Sequence, residues 1–145
     1  MPGSAAFVIR RKELPPELEP AFGGFSEVLD EIEPAKAAVA DVLPGTRLPG
    51  RPLKDAVIEY RAGIDRGQAG MAAWRRPELE AEWQACAAGL QLARERATTL
   101  LGHDDEPEGF EALLGTVQAL IEPLDPFVAA AERFRSLKVR PPRST

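Results

Sequence analysis

Residues 77–101 read PELEAEWQACAAGLQLARERATTLL, and this stretch decides the fold. At helical spacing Leu79, Trp83, Cys86, Leu90, Ala93, Ala97 and Leu100 fall in one stripe, separated by alternating steps of 4 and 3. A strand would repeat its apolar positions every second residue, whereas a helix returns to the same face after 3.6 residues. A stripe of this length predicts a helix, about 73–101, that packs along most of its length against other helices. Pro77, Glu78, Glu80 and Glu82 stand early and Arg94 and Arg96 late, as the helix dipole favours, and Gly102 is a natural stop.

The back of this helix is not polar. Ala81, Ala85, Ala88, Leu92 and Thr99 form a second stripe, roughly opposite the first at 100° per residue. A surface helix would carry charges there. Three causes compete: a second copy of the chain covers the face, the N-terminal arm covers it, or alanine is present simply as a good helix former. Four helices can hardly wrap one of their members on both sides, so the expectation is a homodimer with Ala81, Ala85, Ala88 and Leu92 at its interface.

Outward from this stretch, the chain supplies the helices needed to cover the first stripe. Val28, Ile32, Ala35, Val39 and Val42 predict a helix over about 25–43, with Ser26 as N-cap after a break at Gly23-Gly24. Pro34 lies off that stripe and should bend the helix on its solvent side. Pro52 opens a helix over about 52–69 with Leu53, Val57, Tyr60 and Ile64 inward. Gly63 and Gly67, four apart on its edge, predict close approach of another backbone. Tyr60 sits mid-stripe, so its buried hydroxyl needs a partner. The longest stripe, Phe110, Leu113, Val117, Leu120, Leu124, Phe127, Ala131 and Phe134, predicts one bent helix over about 107–137, with Pro123 and Pro126 off the stripe.

The predicted architecture is an all-α, antiparallel, up-down-up-down four-helix bundle over 22–137. An extended N-terminal arm, 1–21, precedes it, with Phe7 and Ile9 laid on the bundle, and a short, basic, flexible tail, 138–145, follows.

The totals agree with one globular domain. The chain has 145 residues, 44% hydrophobic and 28% charged, enough to bury roughly 70% of its unfolded surface. One cysteine permits no internal disulfide, so a reducing cytoplasm is expected. The start lacks the pattern of a secretory signal, and no segment reaches the ~20 apolar residues of a membrane span. Abundant Arg and Ala hint at a GC-rich bacterial genome. The net charge of −5 is concentrated in residues 71–111, while residues 112–145 are net positive. The middle of the chain should therefore repel nucleic acid.

Few residues suggest chemistry. Glu108 with Glu111, and Glu122 with Asp125, are carboxylate pairs spaced to share a helix face, as Mg²⁺ or Mn²⁺ sites of helical hydrolases require. They point away from the apolar stripe, however, and ligands of a bundle enzyme point inward. His103, followed by Asp104, Asp105 and Glu106, is a weak metal candidate that equally suits a helix start. Cys86 lies in the apolar stripe among alanines, where a thiol stays protonated and inert. No glycine-rich phosphate loop occurs. Arg133, Arg135, Lys138, Arg140 and Arg143 form the basic C-terminal cluster that is the candidate for nucleic acid, without a helix-turn-helix around it.

The sequence thus predicts a non-enzymatic interaction or assembly module without a cofactor. Its alternatives are a metal-dependent hydrolase working through surface carboxylates and a nucleic-acid binder working through the basic C-terminal end.

Overall fold

The structure is a computed structural model that describes residues 11–44 and 52–140. It contains helices α1 (Glu19–Ala40), α2 (Leu53–Gly70), α3 (Glu80–Leu101), α4 (Gly109–Ile121) and α5 (Pro126–Ser136). Short 3-10 turns lead into α1 (Pro16–Leu18), connect α2 to α3 (Met71–Trp74, Pro77–Leu79) and join α4 to α5 (Glu122–Leu124). The fold is all-α, with four helical arms, the last made of α4 and α5 in succession. Among the described residues the only β-type pairing is a single antiparallel bridge, Glu13 with Val139. The two N–H groups donate to the two carbonyls at 2.7 and 2.8 Å.

Several boundaries differ from the sequence expectation. α1 begins at Glu19, not near residue 25, and runs through Gly23-Gly24, so Ser26 is mid-helix and caps nothing. Pro16 and Pro20 stand in the first turns of their helical segments, where a missing N–H costs no bond. Only residues 11–15 of the described arm are non-helical. The expected bent helix over 107–137 is two helices, because Pro123 falls in a 3-10 turn and Pro126 starts a new helix. α3 becomes α-helical at Glu80, after the turn at Pro77. The start of the expected tail is tied down by the Val139 bridge. Phe7 and Ile9, the connector 45–51 and tail residues 141–145 lie outside the described residues.

α1 and α2 form the most extensive pair. Their approach is close at Gly63, where a Cβ would lie 3.0 Å from the Ala35 methyl and 3.1 Å from the Glu31 carbonyl oxygen. This is the close backbone approach that the spacing of Gly63 and Gly67 predicts. Pro34 stays on the exposed side of an uninterrupted helix. At one end of the bundle an aromatic cluster fills the core. The Phe25 ring meets Trp74 and Phe134, each at 4.9 Å between centroids, and Phe127 at 6.1 Å.

α3 is the central element: it packs against α2, α4, α5 and the turn between the last two. Leu79, Cys86, Leu90, Ala93 and Ala97 are all 0% exposed. Gly89 marks its crossing with the α4–α5 turn, where any Cβ would overlap the Pro123 carbonyl oxygen.

Two side chains cap the break that proline makes at that crossing. Pro123 has no N–H to offer the Ala119 carbonyl, the partner four residues back in an α-helix. Arg96 of α3 donates to that carbonyl at 2.6 Å instead. Tyr60 of α2, fully buried, donates its hydroxyl to the next carbonyl, Leu120. Burial pushes the Tyr60 hydroxyl well above its ordinary pKa, against the opposing pull of the Arg96 charge.

Candidate functional site

The outer face of α3 is open. Ala81, Ala85, Ala88 and Thr99 are exposed, and Leu92 is 39% exposed. The same 22-residue helix therefore carries one apolar face inside the fold and a second one in water. Its helicity needs no help from that second face, because alanine forms helices well in any setting.

Its neighbours frame this face. Along the first half of α3 it borders a groove shared with α5, where Ala81 faces Ala129. Along the second half it borders a groove of about 690 Å³ shared with α4, with Leu92 and Thr99 on one wall and Ala112, Gly115 and Ala119 on the other. The contact of Gly89 with Pro123 separates the two. The stripe is thus the crest between two shallow depressions lined in part by small residues.

Charges beside the crest are paired within the chain. Arg133 of α5 sits 3.3 Å from Glu82, Arg94 binds Asp65 at 2.7 Å, and Arg75 binds Glu80 at 3.0 Å. The hydrogen bond from Arg75 holds the Glu80 carboxyl below its ordinary pKa. Arg75 also lies 4.0 Å over the Trp83 ring, whose indole N–H donates to the Met71 carbonyl at 2.8 Å. Arg133, paired with Glu82, lines the groove beside Ala81.

The residues considered for metal binding are not brought together. Glu108, Glu111, Glu122, Asp125 and His103 are all exposed. Glu108 and Glu111 stand at the start of α4 and Glu122 and Asp125 just after it, so most of the helix lies between the two pairs. Among the described residues no three His, Cys, Asp or Glu side chains are placed to share a metal ion. Cys86 is fully buried, and desolvation, with Glu82 adding to it, pushes its thiol up to about 12. Of the basic cluster, Arg133 pairs with Glu82 and Arg135 with Glu132. Arg143 lies outside the described residues.

A third concavity was not visible in the sequence. A cavity of about 400 Å³ opens between the first turn of α2, the end of α3 and the start of α4. Leu53, Val57, Leu100 and Leu101 supply its apolar wall, and Asp104, Asp105 and Glu106 its rim. The contributing segments from α2 and α4 are far apart in sequence, so no local spacing announces it.

Comparison with protein-family models, with curated proteins and with solved structures finds no match to this chain. Among the described residues no helix is long and apolar enough to cross a membrane.

Proposed function

We propose that this protein is a non-enzymatic helical interaction module that works in the cytoplasm and self-associates through the outer face of α3. One observation carries the reading. Ala81, Ala85, Ala88 and Leu92 line one face of the central helix, and the folded chain leaves all four exposed. Small side chains let a second helix approach closely, and Leu92 provides a larger apolar contact within the patch. The intramolecular pairing of Arg75, Arg94 and Arg133 supports the reading, since each of these charges beside the face already has a partner within the chain.

Size-exclusion chromatography with light scattering tests it. The expected result is a species of twice the 15.7 kDa chain mass, with its share rising with concentration. A single-chain mass at every concentration up to the millimolar range overturns the proposal.

A further inference from the structure

We propose that the cavity at the α3–α4 junction is a binding site for a small organic cation with an apolar body. Its volume of about 400 Å³ falls within the ~300–1,000 Å³ of ordinary small-molecule sites. Its wall is hydrocarbon: Leu53 and Val57 from α2, Leu100 and Leu101 from α3. This wall calls for an apolar ligand body and gives no preference of charge.

The rim gives that preference. Asp104, Asp105 and Glu106 line the opening, and none of the three makes a hydrogen bond or ion pair among the described residues. They cap nothing either: the N-cap of α4 is Glu108, without a side-chain cap bond. Among the described residues Lys54 is the one lysine or arginine on the rim, where His103 also stands. The starts of α2 and α4 bring partial positive charge, of order half a unit each, and the end of α3 brings the same amount of negative charge. The full charges of three carboxylates outweigh these contributions and that of Lys54, so the described residues make the mouth negative. An ammonium or guanidinium group there is attracted by all three acids, while a carboxylate is repelled.

The site is distinct from the outer face of α3 and is tested separately. Three ligands that share one body serve as probes: 4-phenylbutylammonium, 4-phenylbutanol and 4-phenylbutanoate, each titrated into ¹⁵N-labelled full-length protein at matched ionic strength. The ammonium is expected to shift the amides of Leu53, Val57, Leu100 and Leu101 and to bind at least tenfold more tightly than the carboxylate. Raising the salt concentration should narrow that gap.

Three variants sharpen the test. The triple change Asp104→Asn, Asp105→Asn, Glu106→Gln touches exposed residues only, so the fold is retained, and it should bring the ammonium down to the affinity of the alcohol. Lys54→Gln removes the opposing charge and should tighten ammonium binding. Ala112→Trp places an indole in the cavity from an exposed position on α4 and should abolish all three interactions. Equal binding of ammonium and carboxylate overturns the proposal. So does unchanged ammonium binding in the triple variant, or the absence of an ammonium-induced shift at those four amides.

Discussion

The two faces of α3 are alike in chemistry and opposite in fate. On the inner face Leu79, Cys86, Leu90, Ala93 and Ala97 are fully buried; on the outer face Ala81, Ala85 and Ala88 are exposed and Leu92 partly so. Both faces suit the helix. Only the inner one is used by the fold. An apolar stripe shows that a helix has something to pack, and the number of neighbours available decides which stripe is packed within the chain. Here α2, α4 and α5 all leave the outer side of α3 uncovered.

This contrast predicts a steep difference in mutational cost. Leu90→Ala, on the inner face, should destabilise the protein by about 2–5 kcal/mol in chemical denaturation, as deletion of a buried leucine does. Gly89→Ala stands at the edge between the faces. Its methyl meets the Pro123 carbonyl oxygen, part of a proline-containing turn that yields poorly, so the expected loss is about 1–3 kcal/mol.

The inner face also makes a prediction about pH. The Cys86 thiol has its folded pKa raised from 9.0 to about 12. For such a group the neutral form is the one that the fold favours. Its contribution is complete below pH 9 and is lost as pH rises towards 12, because the unfolded chain releases the proton first. Stability should therefore fall by about 1.4 kcal/mol per pH unit above the ordinary pKa. Urea titrations between pH 9 and 10 should show a steeper fall in the wild type than in Cys86→Ala, which keeps only the smaller fall from Tyr60, whose ordinary pKa of 10.0 burial also raises. The same burial predicts that iodoacetamide leaves Cys86 unmodified until the protein unfolds.

The outer face should be nearly indifferent by comparison. In a single folded chain, Ala85→Glu or Ala88→Glu should change stability by less than about 0.5 kcal/mol, as exposed substitutions on a helix do. A cost as large as that of Leu90→Ala would mean that the outer face is buried within the chain.

The inner face of α3 was legible in the sequence because a 3.6-residue period sustained over six turns is the mark of a helix and of no other regular element. Tyr60 was legible for the same reason, lying mid-stripe with a polar tip. The start of α1 was not. Pro16, Pro20 and Gly23-Gly24 look like breaks in isolation, but the prolines occupy first turns and Gly24 is where α1 presses on Ala73. Trp74 was missed as a core residue because it sits in a 3-10 turn, where the helical period does not apply. Phe110 failed in the other direction. It stays in phase with the stripe, yet it is 53% exposed, at the end of α4 that borders the cavity. Periodicity states which way a residue points, not whether a neighbour is there to meet it. The outer alanine face was legible as an anomaly, and the grooves beside it were not, since they depend on where α4 and α5 come to lie.

The central claim is that a second copy covers the outer face of α3, and native mass spectrometry of Ala88→Glu beside the wild type tests it most directly. The prediction is a wild type at twice the 15.7 kDa chain mass and a variant at the single-chain mass, with the same helical circular dichroism. A variant that keeps the doubled mass, or a wild type that is a single chain at the same concentration, contradicts it.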